Sequence, residues 1–304
     1  MNGTTAPSPW LPTAPCTPGR CAAHPEAAHP VPGHRPPGAA DAAGSVRAVA
    51  RLTAGLATVV LGVLLAPATG LLPAAVRIAL VRHWLRAVVR AFGVHVRYEG
   101  EPGGGPLLVV ANHVSWLDIP LIATVLPGRM VAKSEVRRWP VLGTVAALGG
   151  TLFIDRDGLR ALPGTVRSMT GVLAGGGRVI VFPEGSTWCG RAGGRFRPAA
   201  FQAALDAGCA VQPVRIDYRP TGAAAYVGDD PLGSSLWRVV TTRRPTAVVR
   251  LREPLPAARH PDRRVLAAAA QRAVASDSAN LPPLSVHQRS RSRPASASSA
   301  RTPA

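Results

Sequence analysis

An apolar run, Leu107-Leu-Val-Val-Ala111, empties directly into Asn112 and His113 and, five residues on, Asp118. A continuous Leu/Val run bounded upstream by Gly103-Gly-Gly-Pro106 suits a parallel strand covered on both faces, and the pattern from Trp116 to Leu126 suits a helix after it. His113 then sits at a strand-to-helix turn, where α/β proteins present reactive groups. Neutral imidazole is a competent general base near pH 7, and a carboxylate on its other nitrogen fixes the tautomer and stabilises the imidazolium. Residues five apart on an unbroken helix point about 140° apart, so the pairing requires His113 on the turn and Asp118 in the helix's first turns, with Ser115 as N-cap. A capped helix start with an ordinary polar turn is the competing reading of this pair taken alone.

Downstream, strand and helix patterns alternate. Met130 to Lys133 reads as a short strand and Trp139 to Leu148 as an apolar helix; Gly149 to Asp155 is a strand ending in Asp155-Arg156. A helix over Leu159 to Ala174 is stopped by Gly175-Gly-Gly177, and the buried strand Arg178 to Phe182 ends at Pro183-Glu184-Gly185-Ser186. Phe201 to Ala207 is helical, Val211 to Ile216 is a strand, Arg243 to Leu255 adds another, and Pro261 to Ala275 is a last helix. The fold class expected is therefore α/β, a mostly parallel sheet flanked by helices, with ligands beyond the carboxyl ends of the strands.

An N-terminal membrane-binding helical segment precedes it. Residues 1 to 44 are rich in Pro, Ala, Gly and Thr and read as a disordered tail, without the basic start and apolar core of a secretory signal. Leu52 to Val76 then carries no charge over about twenty-five residues, long enough to cross a hydrocarbon core. Pro67 and Pro73 allow a bent or re-entrant pair of helices as well as a straight span, and a buried core helix is the third reading. Arg77, Arg82, Arg86 and Arg90 come next, with Trp84 where an interfacial anchor would sit, and if the segment spans, the larger basic cluster on that side puts the C-terminal domain in the cytoplasm. The organisation expected is a tail over 1–44, a membrane-associated segment over 45–98, an α/β domain over 99–275 and a Ser/Arg/Pro tail over 276–304.

The formal net charge is +19, which invites nucleic-acid or anionic-membrane partners. Lys133 is the single lysine among 35 basic residues, however, and Ala, Gly, Pro and Arg abound. That pattern follows codon bias in a GC-rich genome, so basicity is discounted as a functional signal. Aromatic content is 5%, and no stacking platform for single strands is evident; no specific nucleic acid is expected. Cys16, Cys21, His24, His29 and His34 miss the usual zinc spacings, and no metal is expected. Ser115 and Ser186 lack a nucleophile elbow, and Cys189 has no histidine beside it in sequence.

Four stretches stand in order: Asn112-His113-Val-Ser-Trp-Leu-Asp118, Gly150-Thr-Leu-Phe-Ile-Asp-Arg156, Phe182-Pro-Glu-Gly-Ser186 and Val211-Gln-Pro-Val214. Together, over roughly residues 77 to 256, they resemble the PlsC-type glycerophospholipid acyltransferases. The resemblance implies direct acyl transfer from acyl-CoA or acyl carrier protein to a lysophospholipid hydroxyl, above all the sn-2 hydroxyl of 1-acyl-sn-glycerol 3-phosphate, giving phosphatidic acid. It implies His113 as the base and Asp118 as its partner, and no cofactor beyond the thioester co-substrate. Arg156, Glu184 and Gly185 would form the acceptor and phosphate site, with Asn112 and Ser186 beside them and Pro213 along the substrate groove. Membrane phospholipids and the cytoplasmic face of the cell membrane are the implied setting. Many family members carry an Arg shortly after the Glu-Gly pair; here Thr187 and Trp188 stand there, so Arg191, Arg195 or Arg197 would take the phosphate. Other acceptors, such as lyso-ornithine lipid or glycerol 3-phosphate, fit the same chemistry. A non-enzymatic basic binding protein is the rival reading.

Overall fold

A computed structural model describes residues 14, 16–17, 42–139, 142–154 and 159–275. The described elements run α1 (Ala42–Thr69), α2 (Ala74–Ala91), β1 (His95–Glu99), β2 (Leu107–Ala111), α3 (Asp118–Val125), β3 (Arg129–Lys133), α4 (Leu142–Leu148) and β4 (Leu152–Ile154). Next come α5 (Leu162–Ala174), β5 (Arg178–Val181), α6 (Phe201–Asp206), β6 (Ala210–Arg219), α7 (Leu232–Thr241), β7 (Thr246–Leu251), β8 (Leu255–Pro256) and α8 (Arg263–Ala275). Eight strands form one sheet in the order β1-β7-β6-β2-β5-β3-β4, with β8 pairing β6.

The expected α/β plan holds: β2 lies at the centre, parallel to both β5 and β6, and is buried along its whole length. Its alternation divides the core. Leu107, Val109 and Ala111 join one apolar cluster, with Leu117, Leu121 and Val239, while Leu108 and Val110 join the other, with Leu173, Phe201 and Leu266. Helices therefore cover both faces, as a mainly parallel sheet requires. The sheet is nonetheless mixed. β7 runs antiparallel to β6, and β1, within the segment expected to be membrane-associated, pairs in parallel with β7 from His95↔Thr246 to Glu99↔Arg250. The N-terminal segment thus supplies the sheet's edge strand. Helix α7, unexpected from the sequence, buries Ser235, Val239 and Val240.

Helices α1 and α2 make a hairpin. Pro67 lies inside α1 and does not end it; the break comes at Gly70 to Pro73, where the amides of Gly70, Leu71 and Leu72 turn back onto Pro67, Ala68 and Thr69. Trp84, expected as an interfacial anchor, is half-buried, and its indole donates to the Thr58 carbonyl at 2.8 Å. Two glycines of α1 admit the rings of α2. A Cβ on Gly62 would stand 2.1 Å from the Trp84 indole nitrogen, and one on Gly55 2.5 Å from Phe92. The base of the hairpin is fixed to the body. Arg51 donates to the Val240 and Thr242 carbonyls at 3.1 Å each, and Arg82 to the Thr124 carbonyl at 2.8 Å. The rest of α1 stays apolar and largely uncovered: its 27-residue stretch Ala43–Thr69 is long and apolar enough to cross a membrane. The tails expected at 1–44 and 276–304 lie almost wholly outside the described residues; within the first, Cys16 is buried.

Replacing Gly62 by Val forces the Trp84 ring away from α1, an overpacking worth about 1–3 kcal/mol. Thermal unfolding of the detergent-solubilised protein should show a clear fall in Tm for Gly62→Val and none for Gly44→Ala, whose Cβ would meet only the tip of Arg47 at 3.9 Å.

Candidate active site

β2 ends at Ala111, and the chain then spends six residues turning before α3 begins. The side chain of Asn112 prolongs the sheet across that gap. Its Nδ2 donates to the Ile216 carbonyl and its Oδ1 accepts from the Ile216 amide, both at 2.8 Å. Both ends of the amide are thus engaged by β6, so Asn112 clamps two strands together at the site and does not present its amide to a substrate, the role expected from the sequence.

Asp118 is the first residue of α3 and is fully buried. Its Oδ2 accepts from His113 Nδ1 at 2.8 Å, from the Val114 amide at 2.7 Å and from the Ser115 amide at 2.8 Å. Its Oδ1 accepts from the Tyr218 hydroxyl at 2.6 Å. A buried carboxylate needs this density of donors. The expected dyad is therefore present, on a turn folded back over the carboxylate. Ser115 does not cap α3: its hydroxyl accepts from the Leu117 amide, and the helix starts without a side-chain cap. The Nδ1 bond leaves Nε2 as the imidazole nitrogen for proton transfer. The ring stacks on Phe182, just past β5, with centroids 4.0 Å apart and planes 14° from parallel.

Sequence spacing gave no sign of Tyr218, which reaches Asp118 from β6, a hundred residues on. Burial first, then the Asp118 charge, hold its phenol well above the ordinary value.

Glu184 sits in the turn after β5, where the Gly185 amide closes onto the Phe182 carbonyl and Gly185 itself takes φ +75°. The carboxyl points inward. Its Oε2 accepts from the His113 amide at 3.0 Å and its Oε1 from the Gly194 amide at 3.1 Å. Glu184 thus joins the His113 turn to the loop 186–197 and caps no helix. Burial pushes it up to about 8, with the Asp118 charge adding, against the two backbone donors and Arg215, which favour the carboxylate. The loop itself returns to the dyad, where the Trp188 amide donates to the His113 carbonyl at 2.7 Å. Ser186 and Gly185 are half-buried in this loop. Pro213 is buried in the middle of β6, opposite Val110, and is part of the sheet. Arg156 lies outside the described residues.

Two substitutions test this network. Tyr218→Phe leaves a buried charged acceptor short of one donor, which should destabilise the protein by about 2 kcal/mol and lower Tm by roughly 4–8 °C. Glu184 contributes stability that is fully present below its unfolded value of 4.5 and is lost as pH rises through about 8. Tm of the wild type should therefore fall more steeply between pH 5 and pH 8 than that of Glu184→Gln; equal slopes would contradict the raised value.

Comparison with known proteins relates the chain to acyltransferases. The sequence model of the Acyltransferase family matches residues 93–217, from just before β1 into β6. The lyso-ornithine lipid O-acyltransferase of Pseudomonas aeruginosa is 41% identical over 203 residues, covering 64% of this chain and 76% of that protein. The 1-acyl-sn-glycerol-3-phosphate acyltransferase of Neisseria gonorrhoeae is 38% identical over 154 residues, covering 49% of this chain and 59% of that protein. In fold, the chain is similar to the crystal structure of PlsC from Thermotoga maritima, with a TM-score of 0.61 at 20% identity over 82% of this chain and 98% of that one. The chain belongs to the PlsC-type acyltransferase family.

Proposed function

We propose that this acyltransferase moves a fatty acyl group from a thioester, acyl-CoA or acyl carrier protein, to the sn-2 hydroxyl of 1-acyl-sn-glycerol 3-phosphate, giving phosphatidic acid. The observation that carries the reading is the 2.8 Å bond from His113 Nδ1 to a fully buried Asp118. His113 Nε2 takes the acceptor's hydroxyl proton as the oxygen bonds to the thioester carbonyl carbon. The tetrahedral adduct then expels the thiolate, which leaves with the proton from the imidazolium, while Asp118 stabilises the cation in between. A thioester is already activated, so the chemistry calls for alignment and a base, and for no metal or bound cofactor.

A phosphate acceptor is favoured by the loop held against Glu184 and His113. Between Ser186 and Arg197 it carries Arg191, Arg195 and Arg197 and no acid, and the guanidinium fork suits phosphate oxygens. Arg156 is assigned to the same headgroup. Lyso-ornithine lipid is the second reading, supported by the longer and more identical match to the Pseudomonas enzyme. In either case the acceptor arrives from a membrane. Leu56, Leu61, Leu64 and Leu65 of α1 and Leu71 at the hairpin tip are exposed, and we assign this face to the bilayer, with the α/β body on the cytoplasmic side.

Thiol release from acyl-CoA, measured on membranes containing the protein, should require 1-acylglycerol 3-phosphate and fall about 10²–10⁴-fold in His113→Ala. Preference for lyso-ornithine lipid in the same assay would move the acceptor to the second reading. Acceptor-independent release, retained in His113→Ala, would overturn the proposal.

A further inference from the structure

A groove of about 820 Å³ lies between α2, β1 and the end of α3, away from the loop assigned to the acceptor. Arg86, Arg90, His95, Arg97 and Arg244 line it together with Tyr98, and its lining residues include no carboxylate. Among the described residues, none of these four arginines forms a salt bridge. Elsewhere on the body arginines meet acids: Arg215 holds Asp217, Arg238 holds Asp230, and Arg250 engages Glu99, the one acid on β1. Four guanidinium groups around one concavity repel one another and raise a local positive potential, a cost that a bound anion offsets.

The groove shares its end of the sheet with the dyad. Asn112 is bonded to Ile216, Ile216 is in register with Val249, and Val249 with Tyr98. Tyr98 therefore stands on the same transverse row as the residue before His113, three interstrand spacings away, or roughly 14 Å. Val96 of β1 packs in the same apolar cluster as Tyr218, so Tyr98, two residues on, lies on the dyad's face of the sheet. The Tyr98 hydroxyl lies 3.4 Å from the Leu121 carbonyl, within one turn of Asp118 on α3.

We propose that this groove holds the phosphate-bearing nucleotide end of a coenzyme A thioester, with the pantetheine arm running across the sheet end to His113. This rests on the reading of the dyad as a thioester-dependent acyltransferase site. The volume falls in the range of about 300–1,000 Å³ typical of small-molecule sites. A concave site of that size admits a nucleotide. The diphosphate and ribose phosphate of coenzyme A bring several negative charges to guanidinium forks shaped for such oxygens. Tyr98 adds an aromatic surface for the base. Between diphosphate and sulfur the pantetheine arm has about twelve bonds, as many as about four residues of backbone, and extends roughly 14 Å, a reach on the scale of the three interstrand spacings between β1 and β2.

The double variant Arg97→Glu/Arg244→Glu tests the assignment on two solvent-exposed groups away from the dyad. In calorimetric titration of the full chain in detergent, coenzyme A should bind the wild type and bind the variant at least tenfold more weakly. In turnover, the wild-type preference for acyl-CoA over acyl-pantetheine, which carries the same thioester without the nucleotide, should collapse about tenfold. The titration needs no activity, so a protein that binds coenzyme A through the groove yet transfers no acyl group would refute the acyltransferase reading of the dyad and leave the groove assigned. Unchanged coenzyme A binding in the variant, an unchanged donor preference, or a wild type that accepts only acyl carrier protein would each overturn the proposal. So would a variant that loses only its binding to vesicles rich in anionic phospholipid, which would give the groove to lipid headgroups.

Discussion

One buried carboxylate organises this end of the molecule. Asp118 could not be placed in an apolar core without donors, and the four it has come from two parts of the chain: the turn 113–115, which gives two backbone amides and the His113 ring, and β6, which gives the Tyr218 hydroxyl. Satisfying it therefore fixes the turn's path, the imidazole's orientation and the separation of β2 from β6 at once. Asn112 and Glu184 extend the same logic outward, each using both polar atoms on main-chain groups of neighbouring segments. The His113 imidazole is thus held by polar groups that are themselves engaged, which is how preorganisation is built from ordinary hydrogen bonds.

How much of this was legible beforehand depended on whether the information was local. The strand β2, its following helix and the His113 to Asp118 pairing follow from one short stretch, because burial periodicity and a turn spacing of five are local properties. The parallel centre of the sheet was legible for the same reason. Tyr218 was not, since nothing in β6 marks which of its residues meets a carboxylate a hundred positions earlier. The family resemblance puts Asn112 beside the substrate, and only the folded structure shows its amide taken by Ile216. The antiparallel β7, the recruitment of β1 and the helix α7 were missed because pairing direction is a tertiary choice that apolar patterning leaves open. The uncharged segment from Leu52 to Val76 allowed three readings, and Gly55 and Gly62 show how the hairpin closes: their missing side chains leave room for the Phe92 and Trp84 rings against α1. Arg156, carried over from the family pattern, falls outside the described residues.

The helical hairpin and the α/β body share structural members. α1 and α2 present leucines outward near their tip and donate arginines to body carbonyls further down. The turn that carries His113 is consequently set at a fixed height relative to the hairpin, so any surface on which α1 and α2 settle also fixes the distance of His113 from it.

The edge pairing of β1 with β7 joins residues about 150 positions apart. Contacts of such long range form late, because their loop-closure entropy is paid before any reward arrives. During synthesis the apolar hairpin and β1 are therefore complete before β7 exists. Until Thr246 to Leu251 arrives, β1 is an open strand edge beside the hairpin. Formation of the hairpin and completion of the sheet are separated in time, and the later strand is the one that joins the N-terminal segment to the sheet.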